Sequence, residues 1–213
     1  MKSYFPRLML EGLKTSHVSD AMDELGLPEN AAVGFQAFAF ETAIAGYAFT
    51  LVQERLPPGG EGQTQHAQVV TELASPGDIL VIDAAGITDI ATWGEAHTLR
   101  ALARELSGVV IHGATRDSQA IDQLGLPLMC RGASPMRSKT RFRTAALGTT
   151  ISIGGATVGH RDFVIADPDG IVSVPKNVQD EVLRRALMIL KSERTRDRAL
   201  RNAALGTAPH NDY

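Results

Sequence analysis

The chain of 213 residues holds one cysteine, Cys130. A lone thiol closes no intrachain disulfide and builds no cysteine-based zinc site. Within LPLMCRG it reads as a small core residue. A basic excess is also missing. Lys and Arg number 21 against 24 Asp and Glu, for a formal net charge of -3, so nothing announces a phosphate backbone as partner. No apolar run approaches the roughly 18–20 residues that a membrane span needs. The opening MKSYFPRLMLEGLKTSHVSD lacks a long apolar core and a small-residue cleavage site, which argues against a signal peptide. The expectations are no nucleic acid, no membrane and a cytoplasmic location. No GxSxG, Walker sequence or GxGxxG after a strand is present, and the six histidines show no HxxxH spacing. No repeat, linker or low-complexity stretch marks a second domain. Residues 1–213 are expected to form one domain, with a core over about 15–195 and a charged helical tail over 177–206.

What is present is an ordinary globular composition, 44% hydrophobic and 21% charged, in a chain long enough for a real core. TSHVSDAMDELG, residues 15–26, predicts a short helix. Ser16 or Ser19 would cap it, Gly26 and Pro28 would stop it, and Val18, Met22 and Leu25 would form its apolar stripe. FQAFAF and AIAGYAFTLVQ suit strands around a turn. RLPPGGEGQTQHAQVV reads as a loop turning into helix near Gln65 or His66. Pro76-Gly77-Asp78 makes a turn before a buried strand, Ile79 to Ile82. A helix follows from Glu95 to Leu106, with Leu99, Leu102, Ala103 and Leu106 on its buried face. GVVIHG is a second buried strand, SQAIDQLG a short helix and LPLMCRG a third strand. TISIGGATVG alternates. HRDFVIADPDGIVSVP holds two strands joined by a turn at Asp167-Pro168-Asp169-Gly170. From Asn177 the chain reads as a charged helix, with KSERTRDR on its solvated face. Buried strands joined by helices argue an α/β fold, with a parallel, right-handed crossover between residues 79 and 111.

Two groups of charged residues stand out. Thr92 and Glu95 have the spacing of a capping box. The alternative is that Gly94 admits a ligand, and the N–H groups near residues 95–97 receive an anion at the helix start. Arg116 and Asp117 arrive together after GVVIHGAT. Adjacent strand residues face opposite ways, so one site uses both only if the chain leaves the strand near Thr115, a turn that Gly113 and Ala114 would ease. A surface ion pair with other neighbours is the competing reading. Position favours a site, because parallel sheets collect ligands at the carboxyl ends of their strands, where Asp83, Glu95 and Asp117 fall. Two or three carboxylates beside a guanidinium suit Mg²⁺ or Mn²⁺, and Arg116 would fork onto a carboxylate or enolate oxygen. His97 lies near this group. His112 reads as a structural residue bordering its strand.

SPGDILVIDAAG, then WGE, then GVVIHGATRDSQAID resembles the RraA-like family, which includes 4-hydroxy-4-methyl-2-oxoglutarate/4-carboxy-4-hydroxy-2-oxoadipate aldolases. HVSDAMDELG and DFVIADPDGIVSVP resemble further blocks of that family, so the likeness spans roughly residues 15–195. The family signature is an acidic residue, twenty intervening residues, then Arg-Asp; Glu95, residues 96–115 and Arg116-Asp117 match it, with Glu in place of Asp.

The resemblance implies an αββα sandwich of the swivelling β/β/α type, assembled as a homotrimer or homohexamer with sites between subunits. It implies a class II pyruvate aldolase acting on a small 2-oxo acid, with oxaloacetate decarboxylation through the same enolate. Asp117 would hold Mg²⁺ or Mn²⁺, and Arg116 would contact the pyruvyl group. Glu95 would support metal-bound waters. Gly94 would open the approach, and backbone N–H groups of Glu95, Ala96 and His97 would take the substrate carboxylate. Glu193 is the match for an acidic residue contributed by a neighbouring subunit. Ala120 stands where the family often has an acidic residue, and His97 where an apolar one is expected. The family also includes non-catalytic members that regulate a ribonuclease by binding it.

Overall fold

The structure, a computed structural model, describes residues 10–204. Its longest strand, β3 (Ile44–Arg55), links two halves of a ten-stranded sheet. The first half of β3 pairs antiparallel with β11 (Phe163–Asp167), which pairs with β12 (Gly170–Val174), which in turn takes the short β1 (Ala31–Ala32). The second half of β3 turns to parallel partners. It pairs with β4 (Ile79–Asp83), then β6 (Gly108–Thr115), then β7 (Leu128–Ala133), with β2 (Gln36–Phe38) antiparallel at the far edge. Two strands lie off this path: β8 (Phe142–Leu147) pairs with the end of β3, and β5 (Ala91–Trp93) pairs parallel with the end of β6. β9 (Ile151–Ile153) and β10 (Ala156–Val158) form a separate hairpin.

Side-chain alternation sorts the sheet into layers. In β4, Leu80 and Ile82 face one cluster while Ile79 and Val81 face another; Val109 and Ile111 of β6 oppose Val110 in the same way. Strands buried on both faces are continuous apolar runs, as parallel strands between layers must be. The first cluster lies under four helical segments. These are α2 (His66–Gln68), the π turn Val69–Leu73 that continues it, α3 (Glu95–Ala103) and α4 (Ser118–Leu124). The second cluster lies between the two half-sheets and the β9–β10 hairpin. A third joins Phe163, Ile165, Val172 and Val174 to α1 (Thr15–Glu24) and α5 (Gln179–Ala204). Helix, sheet, sheet and helix therefore stack in that order, the αββα sandwich that the family resemblance implies. Asp167 closes the β11–β12 turn and also accepts the Thr15 N–H at 2.9 Å and its hydroxyl at 2.8 Å, tying α1 to the turn.

Three local expectations fail for identifiable reasons. Neither Ser16 nor Ser19 caps α1. The helix begins at Thr15 with Lys14 as its N-cap, whose N–H donates to His17 Nδ1 at 2.9 Å. In α3 the fully buried positions are Thr98 and Ala101, and Leu99 is 49% exposed, although Leu102 packs on the core and Leu106, just past the helix, is buried in it as expected. The helix is rotated so that Thr98 receives the buried Trp93 indole N–H at 2.9 Å, a polar tie that apolar periodicity does not reveal. The turn into α4 is made at Asp117 (φ 56°), not by Gly113 and Ala114, which stay in β6.

Candidate active site

The sheet decides the site. Trp93 stands opposite Thr115 in the β5–β6 pairing, and the Arg116 N–H donates to the Trp93 carbonyl at 3.0 Å. The residues just past each strand therefore meet. Gly94 caps α3 from one strand end, and Arg116-Asp117 leads into α4 from the other. This explains the long interval between Glu95 and Arg116: the chain runs out through α3, back through β6, and returns to the same rim. Brought together there are Gly94, Glu95, Arg116 and Asp117. The Glu95 N–H points to Asp117 Oδ2 at 3.3 Å, and Arg116 Nε lies 3.4 Å from the same oxygen. A Cβ on Gly94 would stand 2.8 Å from Asp117 Oδ2 and 3.0 Å from Arg116 Nε, so only glycine leaves the pair its place. Asp117 adopts left-handed backbone, a conformation aspartate tolerates better than most residues. That geometry turns adjacent side chains, which would diverge on a strand, toward one rim.

The capping box does not form. Gly94 is the N-cap, without a side-chain bond, and Thr92 is buried with its hydroxyl 3.0 Å from His66 Nε2. Asp83 does not join the group either; its carboxylate meets His112 Nδ1 at 3.0 Å and the Ala85 N–H at 2.8 Å. Of the first α3 amides, that of His97 donates to the Gly94 carbonyl at 3.0 Å. Ala96 is exposed beside Glu95. Glu193 lies on α5, where His17 Nε2 holds it at 2.9 Å and Arg196 approaches at 3.4 Å.

Sequence reading passed over His66. It is fully buried behind Thr92, its ring centroid 6.1 Å from Trp93 and 5.3 Å from His97. Burial, with His97 adding to it, pushes its pKa down to about 3. His97 is pushed down to about 4, first by burial, then by Arg100 and Arg116. Both rings are neutral near pH 7.

Asp117 is the carboxylate at this rim that could hold a divalent cation; Glu95 meets it through its backbone N–H and has an exposed side chain. Among the described residues no three His, Cys, Asp or Glu side chains converge. Mg²⁺ is suited by such a sparse set, since it keeps several waters and takes one or two carboxylates. The all-oxygen donors and the partial exposure of Asp117, 41%, fit a hydrated hard cation.

Comparison with known proteins places the chain in a family. Protein DlpA of Legionella pneumophila is 28% identical over 200 residues, covering 93% of this chain but 32% of its own length. A protein of Halalkalibacterium halodurans, whose name proposes a 4-hydroxy-4-methyl-2-oxoglutarate aldolase, is 34% identical over 127 residues, 60% of each chain. The chain thus spans less than two thirds of the length of these relatives. Streptomyces coelicolor RraAS2, described as an unusual member of the RNase ES inhibitor RraA protein family, shares the fold with a TM-score of 0.78. The two are 24% identical, over 91% of this chain and 97% of that one. No helix among the described residues is long and apolar enough to cross a membrane. A family profile described as RraA-like, Aldolase/RraA, matches residues 15–173, and the chain belongs to that family.

Proposed function

We propose that this protein is a divalent-metal-dependent carbon–carbon lyase that cleaves a 4-hydroxy-2-oxo acid to pyruvate and decarboxylates oxaloacetate through the same enolate. The observation that carries this reading is the meeting of Arg116, Asp117 and the Glu95 backbone N–H on one rim, across two strand ends, with Gly94 leaving space for the Arg116-Asp117 pair.

The roles follow from charge and position. Asp117, with Glu95 acting through water and Glu193 of a neighbouring copy in a trimer or hexamer, would hold Mg²⁺ or Mn²⁺. When bound, the cation supplies Lewis acidity toward the 2-oxo oxygen. Arg116 contacts the pyruvyl group and fixes a positive charge where the enolate oxygen develops. Gly94 and the start of α3, at Glu95, Ala96 and His97, admit the substrate's carboxylate to the positive end of the helix. Glu95 holds the water that takes the 4-hydroxyl proton. The C3–C4 bond then breaks, its electron pair becoming the enolate, and a proton returned to C3 gives pyruvate.

The test is pyruvate release from oxaloacetate and from 4-hydroxy-2-oxo acids, with Mg²⁺ or Mn²⁺ added and after chelation. Folded protein that releases pyruvate from none of them refutes the proposal. Asp117→Ala separates it from a purely protein-binding role. Turnover is lost in the first case, and a non-catalytic regulator keeps its partner.

A further inference from the structure

The connection between β7 and β8 carries a charge imbalance that the reaction does not use. Residues 131–143 hold five basic side chains and no acidic one, in a chain whose net charge is -3. Two of the five are engaged: Arg131 donates to the Val33 carbonyl at 2.8 Å, and Arg143 to Glu54 at 2.6 Å. Arg137, Lys139 and Arg141 are exposed, and none of them pairs with a carboxylate among the described residues. The backbone that carries these three cations is held in place. The Ser134 N–H donates to the Thr115 carbonyl at 2.8 Å and its hydroxyl to the Asp89 carbonyl at 2.6 Å, while the Met136 carbonyl accepts the Ala91 N–H at 2.7 Å. At the far end Phe142 is fully buried against Ala84 and Ile90.

Beside this loop lies a groove of about 350 Å³. Pro57, Pro58, Ile90 and Met136 give it an apolar wall, with Met136 41% exposed, and Arg55 and Arg141 line it as well. Arg55 is met by Asp89 at 3.2 Å. Arg141 gives one N–H to the Arg137 carbonyl at 3.1 Å and keeps the rest of its fork for another acceptor.

This mixture of surfaces selects the partner. A small anion would meet the cations and leave the apolar wall in water. A nucleic-acid strand calls for an aromatic face on which bases stack; no aromatic side chain lines the groove, and Phe142 is buried. An apolar side chain flanked by carboxylates satisfies both parts at once. The groove takes the anchor, and the cations take the charges.

We propose that this face docks an extended, acidic protein segment, with one apolar side chain in the groove and its neighbouring carboxylates on Arg137, Lys139 and Arg141. The proposal stands apart from the aldolase reading and does not depend on it.

The experiment uses the full chain and fluorescence anisotropy of labelled peptides. The probe is Glu-Glu-Leu-Glu-Glu, with Gln-Gln-Leu-Gln-Gln, Glu-Glu-Ser-Glu-Glu and an oligothymidylate as controls. Wild type is expected to bind the probe at least about tenfold more tightly than the glutamine peptide, with the difference shrinking as salt is raised. It is expected to bind the leucine probe severalfold more tightly than the serine peptide, the effect of burying one apolar side chain. Lys139→Glu combined with Arg141→Glu removes the preference for glutamate. Met136→Ser lowers the preference for leucine and keeps that for glutamate. All three side chains are exposed, and circular dichroism checks that the variants fold. Wild type without a preference for glutamate, or a folded double variant that retains it, overturns the proposal. Tighter binding of oligothymidylate than of the probe assigns the face to nucleic acid and overturns it too. So does a lower molar mass of the double variant in light scattering, which would make the face a contact between copies of this chain.

Discussion

Gly94→Ala separates the geometry of the site from the stability of the fold. Gly94 is extended (φ -173°, ψ -175°), so alanine meets no backbone strain there. The added methyl would instead lie 2.8 Å from Asp117 Oδ2 and 3.0 Å from Cγ and Nε of Arg116. Ordinary contact begins near 3.4 Å, so the pair must move by about half an ångström. Arg116 and Asp117 are 43% and 41% exposed and swing outward easily. Unfolding free energy should therefore fall by only about 1 kcal/mol or less, the scale of losing a favourable N-cap residue. Activity is more sensitive. A displacement of about 1 Å costs on the order of 100-fold, so half of that costs about tenfold, roughly 1.4 kcal/mol in the barrier. Pyruvate release followed with a coupled dehydrogenase gives kcat/KM, and urea denaturation gives stability. Wild-type kcat/KM in Gly94→Ala refutes the argument that this glycine reserves the site. A stability loss of several kcal/mol refutes it too, because the glycine would then serve the core.

Asp117→Asn keeps a residue suited to the left-handed backbone (φ 56°) and to the start of α4, but removes the charge. Pyruvate release is expected to drop at least about 100-fold with the melting temperature nearly unchanged; retained turnover refutes the role of its carboxylate. His66 gives the fold a pH dependence. Its folded pKa, about 3, lies below the unfolded value of 6.5, so the unfolded chain binds the extra proton between them. Its contribution to stability is complete above pH 6.5 and falls as pH drops toward 3, by at most about 1.4 kcal/mol per pH unit. His66→Met should flatten that slope in denaturation curves between pH 4 and 6.5, and an unchanged slope counts against it. Asp78 is buried and held by Arg161 Nη1 at 2.7 Å. Arg161→Met leaves that carboxylate with the Ser75 N–H but no cation and should cost about 1–2 kcal/mol; no measurable loss in urea denaturation refutes the pairing argument.

The order of elements was legible in the sequence because burial on both faces leaves a plain signature. The runs ILVI and GVVI are apolar without alternation, and they became the central parallel strands β4 and β6. The Asp-Pro-Asp-Gly turn was legible for a similar reason, since its residues favour turn backbone wherever they stand. The rotation of α3 was not, because it is set by the bond between Trp93 and Thr98, and hydropathy does not report a buried polar tie. Asp83 and Asp117 looked alike on paper, each just past or at the end of a strand. His112, opposite Asp83 in the neighbouring strand, engages one of them and leaves the other to the rim.

By itself the sequence determined which side chains are able to do chemistry and how far apart they lie along the chain, since residue type and spacing are local properties. Only the tertiary structure decided that Gly94 and Asp117 touch, and that His66 stands behind them. Contacts of that kind depend on strand pairing and on helix rotation. Both are settled by packing among residues distant in sequence, and no window of adjacent residues contains them.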